Sequence, residues 1–167
     1  VQKFGIRQSP AFVGEVLRFQ EIVHYVAPPA EDMHAMLAGM QTFLERTKGQ
    51  SAVMRSGVAA FGFVYIHPLA DGNGRVHRFL INDLLRRDEA IKEPMILPVS
   101  SLISSDAAER RAYDQILDVI SRPLMQSSAG FYEFTAKPTS YPDGITSNFA
   151  FNGGASARHA WRLLDLT

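Results

Sequence analysis

Hydrophobic positions along this chain change their period several times, and each change marks an element. In FGIRQSPAFVGE, short apolar and β-prone pieces flank Gln8-Ser9-Pro10, which predicts a small β-hairpin over residues 4–14. Residues 28–48 read as a helix: Pro28-Pro29 opens it, and Glu31 and Asp32 sit where the helix dipole favours anions. Met33, Met36, Leu37, Met40 and Leu44 form one apolar stripe, and Gly49 ends the segment. A methionine-rich stripe of this kind is core material rather than a ligand groove. The run SGVAAFGFVYI, residues 56–66, is apolar on every side; periodicity alone cannot choose between buried helix and buried strand, and its helical neighbours favour helix. Val76, Phe79, Leu80 and Leu84 recur at helical spacing as far as Arg87. Another helix runs from about Asp106, with Glu109 as capping partner, through Tyr113, Ile116, Leu117 and Ile120 to a stop at Pro123.

Beyond residue 135 the text KPTSYPDGITSNFAFNGGASARHAW is rich in turn formers and closes on a short apolar WRLLDL. The pattern predicts a mainly α domain over 1–135, with a hairpin near its N-terminus, and an irregular C-terminal extension over 136–167. The chain has 167 residues, 46 % of them hydrophobic and 20 % charged, enough for one substantial core. Seventeen basic and seventeen acidic side chains cancel, so any anion site must be local rather than the product of a global field. There is no cysteine, which excludes disulfide and thiolate chemistry and fits a reducing, cytoplasmic setting. No apolar run approaches the ~20 residues that span a bilayer. The start at Val1 suggests a trimmed product with sequence missing upstream.

The chemistry concentrates in HPLADGNGRVHR, residues 67–78. His67 stands where a buried helix emerges, ADGNG makes a tight loop, and Arg75 begins the next helix. A helix N-terminus already carries about half a positive charge, so two cations there, Arg75 and Arg78, are unfavourable by ~0.3–1 kcal/mol each unless an anion joins them. Gly72 and Gly74 allow positive φ and close approach of a ligand to the backbone. The assembly reads as an anion cradle, most simply for a polyphosphate. Asp71 beside phosphate makes sense as a Mg²⁺ ligand, because that ion takes one or two carboxylates and completes its shell with phosphate oxygens and water. His67 supplies a group that titrates near neutral pH and can accept a proton from an attacking hydroxyl. Taken singly, a histidine before proline is more often a capping or core residue, D-G-N-G a turn, and an arginine pair a solvated face. Their joint occurrence within twelve residues is what carries the reading.

The same twelve residues resemble the signature of the Fic domain family, H-x-F-x-[DE]-G-N-G-R-x-x-R, with one departure: Leu69 stands in place of phenylalanine. In the family that ring anchors the catalytic loop; leucine keeps the apolar role with less volume and implies a slightly looser loop. The resemblance implies a Fic-type helical bundle and transfer of AMP from ATP to a Ser, Thr or Tyr hydroxyl of a target protein. It implies His67 as general base, Asp71 holding Mg²⁺, and Asn73 with the amides of Gly72 and Gly74 stabilising charge on the α-phosphoryl oxygens. Arg75 and Arg78 would clamp the β- and γ-phosphates. Spacing alone does not say which phosphate is attacked; the family branch that acts as a kinase carries lysine where Gly74 stands. FGIRQSPAFVG is similar to the family's flap, so Ile6, Arg7, Gln8, Phe12 and Val13 are expected to hold the target by strand pairing. HAWRLLDLT resembles a closing segment of some long members, and the family's distribution implies a bacterial source.

Two function classes stand beside each other. One is an AMP-transferase, or a related enzyme moving another nucleotide, phosphocholine or phosphate, or running the reverse reaction. The other is a non-catalytic nucleotide-binding or interaction module, towards which only Leu69 leans. Many family members are restrained by a helix bearing [ST]-x-x-x-E-[GN]. Ser105 to Glu109 fits S-x-x-x-E, but Arg110 follows and the segment reads as scaffold, so the inhibitory helix is expected upstream or on a partner chain. His77 is expected at the surface; His24, His34, His159, Glu15 and Arg18 receive no role.

Overall fold

The computed structural model describes residues 5–18, 20–153 and residue 161; Phe4, His159 and most of the closing WRLLDL lie outside the described residues. The mainly α expectation holds: five α-helices and two antiparallel hairpins are present among them. A 3₁₀ turn, Ala30–Asp32, leads into α1, Met33–Arg46, and the chain turns at Gly49 with φ 80°. The apolar run becomes α2, Ala52–Ile66, capped by the Ser51 hydroxyl, which accepts from the Met54 amide. Fifteen residues bounded by other helices settle helix over strand. Its small residues Ala59, Ala60 and Gly62 are buried, which lets it lie between α1 and α3, Asn73–Arg87. Arg55, buried on α2, bonds the Asp88 carboxylate, the Thr47 hydroxyl and the Leu44 carbonyl, tying the three helices together at one end.

Four expectations need correction. First, the N-terminal hairpin is β1, Phe12–Leu17, with β2, Gln20–Val26, rather than residues 4–14. The alternating FVGEVL and QEIVHYV make the arms. The turn at Arg18, in left-handed conformation (φ 50°), carries no Gly or Asn signal in the residues before it. Residues 6–10 instead run against the loop after α2: Ile6 bridges Leu69, and the Arg7 amide donates to the Pro68 carbonyl at 2.9 Å. Second, the helix from Asp106 does not stop at Pro123; α5 spans Ala107–Ser128. Pro123 lies on the exposed face and removes only the bond to the Val119 carbonyl, on a residue itself 73 % exposed, while Leu124 and Ser128 anchor the last turn in the core. A short helix α4, Val99–Ser105, precedes α5, so the S-x-x-x-E match straddles the break between them.

Third, the expected irregular tail contains a hairpin, β3, Tyr132–Ser140, and β4, Thr146–Phe151, so the proposed boundary at 135/136 falls inside a strand. Its turn, YPDGI, has Pro142 and Gly144 where a tight turn wants them, and the Asp143 side chain accepts from the Ile145 amide at 2.9 Å. The two hairpins meet through aromatic rings: Phe12 lies 4.6 Å from Phe149 and 5.4 Å, edge-on, from Phe134. Around this contact the core gathers Tyr25, Val26, Tyr65, Leu124, Phe149 and Trp161, whose indole N–H donates to the Val26 carbonyl at 3.2 Å. Fourth, His77 is buried in α3, not at the surface, and burial, followed by the neighbouring Arg78 charge, lowers its pKa. Among the described residues no helix is long and apolar enough to cross a membrane.

Candidate active site

Helix α2 ends by delivering His67 in left-handed conformation, φ 51° and ψ 52°, as its C-cap. A side chain larger than hydrogen is strained there, at a cost of order 1–3 kcal/mol, so the surroundings must hold it. They do so from both sides: the His67 amide donates to the Phe63 carbonyl at 3.0 Å and the His67 carbonyl accepts from Arg7 Nε at 2.7 Å. The ring Nδ1 lies 3.3 Å from the Val64 carbonyl. A carbonyl can only accept, so Nδ1 carries the proton and Nε2 keeps its lone pair. Burial lowers the pKa of His67, outweighing the Val64 contact that raises it, and the Arg7 charge lowers it further. The imidazole is therefore neutral and basic at Nε2 at physiological pH.

Beyond His67 the loop turns through Gly72, whose φ of 93° suits glycine and which caps α3. A Cβ built on Gly72 would lie 3.4 Å from the Arg75 guanidinium, and one on Gly74 would lie 3.3 Å from that of Arg78. Gly74 thus leaves space for the Arg78 head, whereas at Gly72 the contact is ordinary and the positive φ is what asks for glycine. His67, Asp71, the two glycines and both arginines line an open cleft of about 570 Å³. The Arg75 and Val76 amides donate to the Gly72 carbonyl at 2.9 and 3.0 Å; ahead of them the Asn73 and Gly74 amides stand in the first turn, where a helix has no internal acceptor. Asp71 is paired with Arg75 at 2.9 Å, both groups exposed. No cluster of three or more carboxylate or histidine ligands that could hold a metal occurs among the described residues. The lone Asp71 carboxylate fits Mg²⁺ only where phosphate oxygens and water complete the shell, with Arg75 turning from Asp71 to phosphate.

Asn73 has a structural task as well. It is 4 % exposed, and its side chain closes on the loop itself: Oδ1 accepts from the Leu69 amide at 2.9 Å and Nδ2 donates to the Leu69 carbonyl at 2.8 Å. Asn73 thus shapes the loop; Nδ2 carries a second hydrogen beyond the one given to Leu69, and Asn73 also lines the cleft. The expected flap residues also divide. Arg7 is 1 % exposed and donates to the carbonyls of His67, Ser9 and Pro28, the Gln8 amide donates to Asp143, and Phe12 packs between the hairpins. Ile6 pairs with Leu69 in the loop after α2. Of the five, only Val13 is an exposed apolar side chain on the hairpin, with Val16 and Leu17 beyond it.

A second cavity, about 260 Å³ and mainly apolar, opens on the other side of His67 between the β1–β2 hairpin and α5. Val13, His24, Tyr65, Tyr113 and Leu117 help line it. Tyr65 reaches across to donate its hydroxyl to the Leu117 carbonyl, and burial pushes its pKa up to about 12, so it stays a neutral donor. Sequence reading missed this wall. Tyr113 and Leu117 showed only as an amphipathic stripe, and nothing in a stripe says which of its members border a cavity.

Residues 3–85 match the profile of the Fic/DOC family. Over that stretch the chain belongs to the Fic/DOC family. Among curated relatives it is 34 % identical over 96 residues to the protein adenylyltransferase fic-1 of Caenorhabditis briggsae, an alignment covering 56 % of this chain and 18 % of the relative. It is 38 % identical over 95 residues to the protein adenylyltransferase Fic of Drosophila grimshawi, covering 54 % and 19 %. The chain thus spans less than a fifth of the length of these relatives. Both relatives are eukaryotic, so they lend no support to a bacterial source.

Proposed function

We infer that this Fic/DOC chain transfers AMP from ATP to a hydroxyl side chain of a target protein, releasing pyrophosphate. The observation that carries the reading is His67, held with a free Nε2 where an arginine-walled cleft meets a tyrosine-walled apolar cavity. The names of the curated relatives point the same way. In this reading the triphosphate lies along the cleft over the start of α3, and the flat base seats against Tyr65 and Tyr113. Nε2 takes the proton of the target hydroxyl as its oxygen bonds to the α-phosphorus. The bond from that phosphorus to the bridging oxygen then breaks, and pyrophosphate leaves with the electron pair. Arg75, Arg78 and the leading amides of α3 stabilise the charge that develops, an electrostatic contribution set before the reaction begins. Asp71 would hold Mg²⁺ that arrives with the phosphates and supplies charge neutralisation at the leaving group. A target segment adding a strand beside the β1–β2 hairpin would bring its hydroxyl to His67, with Val13, Val16 and Leu17 as apolar contacts.

The test is incubation of the protein with α-³²P-ATP and, in parallel, γ-³²P-ATP, with Mg²⁺ and candidate target proteins, using His67→Ala as control. Label from the α-phosphate alone, lost in the variant, is the expected result. Label from γ would make the enzyme a kinase. Nucleotide binding without label from either would leave a binding module.

A further inference from the structure

The β3–β4 hairpin, which has no part in the chemistry above, is joined to the catalytic histidine by an unbroken chain of hydrogen bonds. At its turn, Asp143 Oδ2 accepts from the Gln8 amide at 2.7 Å, the Ser9 amide at 2.8 Å and the Ser9 hydroxyl at 2.8 Å. Oδ1 accepts from the Ile145 amide at 2.9 Å. Burial pushes the Asp143 carboxyl up, but these four bonds together outweigh it and hold the pKa near about 2. Ser9 in turn presents its carbonyl to Arg7 Nη1 at 2.9 Å, and Arg7 Nε holds the His67 carbonyl at 2.7 Å. The same segment grips the loop through its backbone: the Arg7 amide donates to Pro68 at 2.9 Å, the Ala70 amide to Gly5 at 3.3 Å, and Ile6 bridges Leu69.

Charge makes the arrangement more than a chain of contacts. Arg7 is a cation with almost no access to water, and burial lowers its pKa to about 10 against the opposing influence of Tyr25, Asp143 and Glu31. Asp143 therefore helps keep Arg7 charged where its guanidinium must hold the carbonyl of a residue in strained, left-handed conformation.

We propose that the β3–β4 hairpin is a latch on the catalytic loop, with Asp143 a positioning residue that acts through Ser9 and Arg7 to aim His67. The proposal rests on the reading of His67 as general base. Asp143→Asn is the sharpest variant, since an amide has one acceptor oxygen where the carboxylate uses two, and it carries no charge. In this variant, hydrogen exchange at the Arg7 and Ala70 amides should accelerate tenfold or more, while that of Tyr65 inside α2 stays as in the parent. In AMP transfer, kcat should fall at least tenfold with the KM for ATP within twofold. Should Asp143→Asn fail to fold, Ser9→Ala removes only the hydroxyl donor and should show the same pattern more weakly.

Unchanged exchange at Arg7 and Ala70 would overturn the latch whatever the activity. Faster exchange with an unchanged kcat would overturn the positioning role. If the parent protein transferred no label from ATP, the proposed function would fall, and with it the claim that a base is being aimed; the exchange rates would still decide whether the hairpin holds the loop.

Discussion

At the scale of single residues, His67 carries the sharpest predictions. His67→Ala should lower transfer by about 10²–10⁴-fold, the usual range for a lost general base, in the α-³²P assay. Its pKa lies below the ordinary 6.5 of histidine. A base works when neutral, so the rate should fall only as pH drops through that lowered value and stay flat from there to neutrality, as a pH–rate profile will show. Protonation is also resisted by the fold, so the contribution of this group to stability should be lost as pH falls below 6.5. Asn73→Ala should cost about 1–3 kcal/mol by denaturant unfolding, because it strands the partly buried amide and carbonyl of Leu69. A binding-only role for Asn73 would leave stability unchanged. This residue also shows what a motif conceals. The position was recognisable, but that its amide also bonds two backbone groups of Leu69 is something no spacing rule reveals.

At the scale of elements, the β1–β2 hairpin is built around a bulge between Val13 and Gly14. A Cβ on Gly14 would sit 2.3 Å from the Ile22 carbonyl oxygen, too close for any side chain. Gly14→Val should therefore part the strands and impair modification of a protein target far more than binding of ATP, measured by label transfer and by nucleotide titration. Helix α5 offers the opposite change: Pro123→Ala should restore a helical bond on an exposed face and raise the unfolding temperature, with roughly 1–3 kcal/mol to be recovered from the usual cost of a helix-interior proline. Long periodic segments such as α1 and α3 were readable because an apolar stripe follows from burial of one face, whereas α2, apolar on every side, was read as helix only from its neighbours. The hairpin at 12–26 was displaced to 4–14 in the sequence reading because Gln8-Ser9-Pro10 is a stronger turn signal than the residues that do make the turn.

At the scale of the molecule, the helices and the two hairpins share a core in which Trp161 is 1 % exposed. Trp161→Phe should destabilise the whole protein in one transition, whereas a loss confined to the hairpins would show as a separate early step. The latch makes a further demand. Because Asp143 is held near about 2 against an ordinary 3.8, its stabilisation is complete above about pH 4 and is lost as pH falls toward 2. The stability gap between the parent and Asp143→Asn should therefore close over that window in acid-unfolding measurements.

The sequence by itself displayed most of the helical frame and the twelve residues that the proposed function takes as anion cradle and base. Helical frames follow from local periodicity, and the cradle and base lie within twelve consecutive residues where glycines, arginines and a histidine can be read together. Only the tertiary structure decided that Arg7 turns inward, that Tyr65 and Tyr113 wall a cavity beside His67, and that Asp143 reaches the segment holding the loop after α2. Each of these depends on contacts between residues far apart in the chain. Such contacts are set by the close packing of elements against one another, and the order of the residues does not display it.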